Sequence, residues 1–123
     1  MRLSPEVFEE LVVDVLDGMP PELLKLLDNV DVVIEQWPSR RQLGRAGLAG
    51  GTLYGLYEGV PLTHRDSGYQ LIAPDKITIF QRPIERSCVS PRQVADQVRK
   101  TVIHEIAHHF GIGEARLEEL GWS

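Results

Sequence analysis

The feature that most constrains this chain is one long helical pattern that begins at Ser90-Pro91 and stops at Gly111. Ser is a preferred residue at the start of a helix, Pro is favoured at its first position, and Gly is favoured just after its end. The pattern therefore predicts a helix over 92–110. About 20 residues at ~1.5 Å each make it near 30 Å long, enough to cross a small domain.

Two histidines stand one turn apart near the end of this predicted helix, in His104-Glu105-Ile106-Ala107-His108. At about 100° per residue, the two histidines differ by only about 40° around the helix axis. Both imidazoles can therefore reach one metal ion, and two neutral imidazoles suit Zn²⁺. Glu105 points about 100° away from His104, which favours a general base acting on water over a ligand.

The same helix carries an apolar face, since Val98, Val102, Ile106 and Phe110 recur every four residues. This spacing predicts that the face is buried in the core. We expect the histidines on the other side to open into an enclosed site.

A zinc ion in a hydrolytic site takes a third protein ligand and keeps a position for water. Four residues after the motif are candidates: His109, Glu114, Glu118 and Glu119. Glu114 follows Gly111 and Gly113, and glycine lets a helix stop and the chain turn back toward the metal. We therefore predict the ligands His104, His108 and Glu114, with Glu118, Glu119 or a solvent molecule as alternatives to Glu114.

The extended pattern H-E-x-x-H-x-x-G-x-x-E over 104–114 resembles the metal-binding motif of the metzincins, with Glu in place of their third His. The surrounding His-Glu-Ile-Ala-His-His-Phe-Gly, with Leu120-Gly121-Trp122 behind it, is more similar still to a bacterial family of minimal zincin-like metallopeptidases. That family commonly has Asp where this chain has Glu114, and the resemblance covers almost the whole chain. No Met follows Met19, so the methionine turn of the metzincins is absent.

The resemblance implies an α+β fold, a small mixed β-sheet backed by an N-terminal helix and the metal-bearing helix. It implies a zinc-dependent hydrolase of peptide bonds, with Glu105 as the catalytic base and a peptide or protein as substrate. It also implies that the substrate lies along an edge strand over 52–58, with 76–81 inside the sheet. Five residues remain open as the group that stabilises the oxyanion: Tyr54, Tyr57, His64, Tyr69 and Arg82. The alternative is a zinc-binding module of little or no activity that acts through a protein partner.

The rest of the chain supplies the other predicted elements. Apolar residues at three- and four-residue steps predict a helix from Pro5 to near Gly18, followed by a short helix over 22–27. A strand is predicted over 30–36, and the apolar run 76–81 predicts a buried central strand. Residues 39–51 combine arginines with four glycines and predict a mobile loop, 61–74 is a second loop, and 114–120 is a last short helix.

Composition limits the partners of the chain. With 13 basic and 18 acidic residues, its formal net charge is −5, which disfavours nucleic acid and anionic membranes. The single cysteine, Cys88, excludes an internal disulfide. No apolar run reaches the ~20 residues of a bilayer span, and the first residues show no signal-peptide pattern. We therefore predict one cytoplasmic domain over 1–123, with its oligomeric state and substrate preference open.

Overall fold

The computed structural model describes residues 1–47, 53–59 and 75–122. In chain order, its elements are α1 (Pro5–Asp17), α2 (Pro21–Leu26), β1 (Val30–Glu35), α3 (Arg40–Arg45), β2 (Gly55–Glu58), β3 (Asp75–Phe80), α4 (Gln81–Arg86), α5 (Pro91–His109) and α6 (Glu114–Leu120). The predicted loop over 61–74, with His64 and Tyr69, lies outside the described residues.

The three strands form a mixed sheet in the order β1-β3-β2. The central strand β3 is parallel to β1, from Val30 opposite Asp75 to Glu35 opposite Phe80. It is antiparallel to β2, where Gly55 lies opposite Ile79. The predicted α+β fold with a small mixed sheet is therefore confirmed, with β2 at an edge and β3 in the centre.

The core lies where α1 and the sheet pack against α5. The predicted apolar face of α5 is confirmed for Val98, Val102 and Ile106, which are completely buried. It is wrong for Phe110, which is 45% exposed, because this residue caps the helix where the chain leaves the helical path. Within the described ranges, no helix is both long and apolar enough to cross a membrane.

Both predicted Ser-Pro helix starts are present. The Ser4 hydroxyl accepts a 3.2 Å hydrogen bond from the Val7 amide at the start of α1. The Ser90 hydroxyl does the same for the Gln93 amide, also at 3.2 Å, at the start of α5. These bonds satisfy amides that have no partner inside the helix, and so they fix where each helix begins.

The prediction of a mobile loop over 39–51 is wrong for its first half, which forms α3. The Ser39 hydroxyl accepts from the Gln42 amide at 3.1 Å, and the Ser39 amide donates to Gln42 Oε1 at 2.8 Å. This reciprocal pair is a capping box, and the Ser-x-x-Gln spacing is the local signal for it. Gln42 is nearly buried, so α3 is anchored to the domain rather than free in solvent.

The short helix α4, which sequence analysis did not predict, follows directly after the central strand. Its Glu85 is 1% exposed and ion-pairs with Arg82 at 2.7 Å. The same carboxylate accepts a 2.7 Å hydrogen bond from the Leu3 amide. The Met1 ammonium group donates to the Glu85 and Cys88 carbonyls at 3.0 and 2.9 Å. These contacts hold the segment before α1 against α4.

Candidate metal centre and active-site cleft

The two motif histidines project from the side of α5 that is not buried in the core. His104 and His108 are both exposed, whereas Ile103, Ile106 and Ala107 between and beside them are buried. The two histidines line a cavity of about 340 Å³ at the end of the helix. The prediction of an enclosed site is wrong, because the His104 side chain is 60% exposed.

Glu114 lies beside this cavity because the chain reverses direction after α5. Gly111 takes a left-handed conformation, with φ of 69°, and the chain then enters α6 through Gly113. Glu114 is the first residue of α6, and its Oε1 lies 3.8 Å from Nε2 of His104. The turn after the glycine was the expected route, and it brings this carboxylate to the cavity that both histidines line.

The other acidic candidates for a metal ligand lie farther along α6. Glu119 Oε2 is held by Arg116 at 3.0 Å on the outside of the helix. Glu118 is exposed, and neither residue lines the cavity of His104 and His108. Of the three acidic candidates, the structure therefore brings only Glu114 to this cavity.

The side chains that line this cavity are of the types that bind zinc. Two imidazoles and one carboxylate make a ligand set that catalytic zinc sites use. In the described part of the chain, no three His, Cys, Asp or Glu side chains are already gathered closely enough to hold a metal ion. His104 and Glu114 are 60% and 71% exposed, so both side chains have room to turn toward a shared ion.

Glu105 lies between the two histidines and faces the edge strand of the sheet. Its Oε1 accepts a 2.8 Å hydrogen bond from the backbone N–H of Tyr57 in β2. On one side it shares a cavity of about 570 Å³ with His108 and Tyr57. On the other side it shares one of about 310 Å³ with His104 and Tyr54. The carboxylate is therefore held at the middle of a cleft that runs between α5 and β2.

At Gly55, β2 packs tightly against α5. A Cβ at this position would lie 2.5 Å from Thr101 Cγ2 and 3.1 Å from the Thr78 carbonyl oxygen. A glycine inside a strand usually weakens it, because it has no side chain to pack. Instead, the absence of a side chain lets β2 approach the helix and brings the Tyr57 amide within reach of Glu105.

Tyr57 is held by side-chain contacts as well as by its strand. Its hydroxyl donates to Asp75 Oδ2 at 2.7 Å. Its ring stacks on His109, with 3.9 Å between ring centroids and 16° between planes. His109 Nε2 also lies 3.8 Å from the same Asp75 oxygen. His109 was considered as a metal ligand, but in the structure it supports the residue whose amide holds Glu105.

The candidates for the group that stabilises the oxyanion lie in different parts of the structure. Tyr54 lines the cleft together with His104 and Glu105. The Tyr57 hydroxyl already donates to Asp75, and Arg82, in the helix that follows β3, is paired with the buried Glu85. Tyr54 therefore stays a candidate for this role, and His64 and Tyr69 lie outside the described residues.

A comparison with curated proteins finds no match. A comparison with protein families matches residues 27–122, more than three quarters of the chain, to the family described as zincin-like metallopeptidase. The matched range contains the whole sheet, the long helix with its two histidines and the last helix with Glu114. This chain therefore belongs to the zincin-like metallopeptidase family.

Proposed function

We propose that this protein is a zinc-dependent peptidase in which His104, His108 and Glu114 hold the metal and Glu105 is the general base. The observation that carries the proposal is the position of Glu105, fixed by an edge-strand amide between two histidine-lined parts of one cleft. Membership of a metallopeptidase family supports it. When bound, zinc would supply a Lewis acid and lower the pKa of the attacking water toward ~7.

The role of Glu105 follows from how its carboxylate is held. Oε1 is occupied by the Tyr57 amide, so Oε2 is the oxygen that takes the proton from the attacking water. The water oxygen then bonds to the carbonyl carbon of the substrate. As the carbon–nitrogen bond breaks, Glu105 returns the proton to the leaving nitrogen, and the carboxylate is restored.

The edge strand supplies the place for an extended substrate. The Tyr54 carbonyl accepts from the Phe80 amide at 2.9 Å, so residues 54, 56 and 58 direct their backbone groups at β3. The alternate residues, Gly55 and Tyr57, direct theirs outward, over the cleft. An extended peptide is proposed to lie along this edge with its backbone beside Glu105, and without pairing to the Tyr57 N–H, which Glu105 already holds.

The test is a metal measurement joined to a cleavage measurement. Purified protein is expected to hold one zinc ion per chain, measured by atomic emission, and to cleave members of a mixed peptide pool followed by mass spectrometry. Glu105→Gln is expected to keep the zinc and lose cleavage, because an amide cannot take the proton.

Two results would contradict the proposal. If zinc neither co-purifies with the protein nor binds at one ion per chain, both hypotheses, the peptidase and the zinc-binding module, would be wrong. Zinc at full occupancy, with no cleavage beyond that of Glu105→Gln, would favour the alternative of a zinc-binding module that acts through a partner.

A further inference from the structure

The cleft of this acidic protein has a locally basic wall, formed where α3 meets the edge strand. Arg41 and Arg45 lie one turn apart on α3, and both contact Oε2 of Glu58, at 3.4 and 3.0 Å. Lys76 Nζ lies 4.0 Å from the other oxygen of the same carboxylate. Three cations therefore surround one anion, although the whole chain has a formal net charge of −5.

Much of the hydrogen-bonding capacity of these arginines is not used by Glu58. A guanidinium group has five N–H donors in a planar fork. In the bonds recorded within the described residues, each arginine gives one N–H, from Nη1, to Glu58. The Arg45 and Arg41 side chains are 51% and 64% exposed, so their remaining donors can face a ligand.

Arg45 also stands at the catalytic cleft itself. It lines the cavity of about 570 Å³ together with Glu105, His108 and Tyr57. A group bound to Arg45 in this cavity would belong to the same molecule that reaches Glu105. Arg40, at the start of α3, carries the same charge but does not line this cavity.

We propose that Arg45, with Arg41 behind it, binds a carboxylate group of the substrate, so that the cleft selects peptides with an acidic group near the cleaved bond. This rests on the proposed function, since it names the substrate class of the same site. The chemistry is the paired N–H donation that a guanidinium gives to a carboxylate, which a lysine cannot reproduce. The carboxylate belongs to an Asp or Glu side chain or to the C-terminus of the peptide.

The experiment measures binding apart from cleavage. Zinc-loaded Glu105→Gln protein is titrated into labelled hexapeptide pools by fluorescence anisotropy. The first pools are amidated and carry Glu at one fixed position, the second carry Gln there, and the third carry Gln with a free C-terminal carboxylate. We expect either the Glu pools at one position or the free-acid pool to bind roughly three- to tenfold more tightly than the Gln amide pools.

The variants assign this preference to Arg45. Adding Arg45→Gln to Glu105→Gln is expected to abolish the preference, whereas adding Arg40→Gln, which removes an equal charge from the same helix, is expected to keep it. Arg45→Lys keeps the charge that neutralises Glu58 and is expected to reduce the preference, which covers the case in which Arg45→Gln does not fold. Equal binding of all pools, or a preference that survives both Arg45 changes, would overturn the proposal.

Cleavage of the same pools by the wild-type protein separates this inference from the proposed function. If the protein binds acidic peptides preferentially but cleaves none of them, the proposed peptidase function is wrong and the proposed carboxylate site stands. Cleavage with the same kcat/KM for Glu and Gln pools, amidated or free, would remove the carboxylate site and leave the peptidase.

Discussion

The backbone N–H of Tyr57 donates a 2.8 Å hydrogen bond to Oε1 of Glu105, across 48 residues of sequence. This bond joins the edge strand to the long helix at the point where the proposed chemistry takes place. The strand that would receive the substrate therefore also sets the position of the proposed base.

Glu105→Asp tests whether this position matters as well as the charge. The Asp carboxylate is one methylene shorter, so it cannot keep the contact with the Tyr57 amide and also reach the water. We expect kcat to fall by about 100-fold or more, the lower end of what general acid–base catalysis contributes, with zinc content unchanged. Steady-state kinetics and atomic emission on the same sample check this. Activity close to the wild type would show that the bond to Tyr57 does not position the base.

Glu114→Ala is expected to weaken zinc binding, because it removes one of three proposed ligands. Mutating a residue that only hydrogen-bonds to a metal ligand already lowers metal affinity by about 10–100-fold. Loss of a ligand itself should therefore lower zinc affinity by more than about 100-fold. Glu118→Ala is the matched control, since it removes the same charge from an exposed position on the same helix. Competition with a chelator measures both affinities. Equal affinities in the two variants would move the third ligand away from Glu114.

Gly55→Ala is expected to push β2 away from α5, because the new Cβ would lie 2.5 Å from Thr101 Cγ2. The cost of such overpacking is about 1–3 kcal/mol in the free energy of unfolding. Gly44→Ala is the contrasting variant, since a Cβ there meets nothing within 4 Å and Ala favours the helix α3, so it should not lower the free energy of unfolding. Chemical denaturation measures both changes.

A second substitution makes the Gly55 prediction specific to the clash. Thr101→Ser removes Cγ2 but keeps the hydroxyl that donates to the Gln97 carbonyl at 2.7 Å. Adding it to Gly55→Ala should recover part of the lost stability. Additive losses in the double variant would show that the two residues do not clash.

Tyr57→Phe is expected to affect stability more than catalysis. It removes the hydroxyl that donates to Asp75 at 2.7 Å but leaves the ring on His109 and the amide on Glu105. Loss of a hydrogen bond to a charged, partly buried acceptor should lower the free energy of unfolding by about 1.5–3 kcal/mol. Denaturation measures the stability, and steady-state kinetics on the same variant measures kcat. A drop in kcat without a drop in stability would assign the hydroxyl a direct catalytic role.

Elements whose local pattern agrees with their packing could be predicted from sequence. The run from Ser90 to Gly111 contains a cap, an apolar face and a glycine stop, and α5 forms there. The apolar run at 76–81 likewise predicted the central strand within one residue. The turn at Gly111 predicted where Glu114 lies, because a left-handed glycine sends the chain back toward the end of the helix.

The elements that were missed depend on contacts with distant parts of the chain. In α4, Pro83 and polar neighbours give a weak helical pattern, and the helix is held through Glu85 by the segment before α1. In α3, the glycines and arginines of 39–51 favoured a loop, although the Ser39–Gln42 capping box indicates the start of a helix. The contact of Glu105 with Tyr57 depends on the register of β2 against β3, which no local pattern determines.

The edge strand β2 is four residues long, and its position has a consequence for how the protein behaves at high concentration. An exposed strand edge is a template on which a second copy of the chain can pair and begin to aggregate. Here one outward N–H of the edge, at Tyr57, is already taken by Glu105. The same carboxylate that is proposed to catalyse hydrolysis thus also removes one pairing position from this edge. Variants that remove it should be handled as more prone to precipitate.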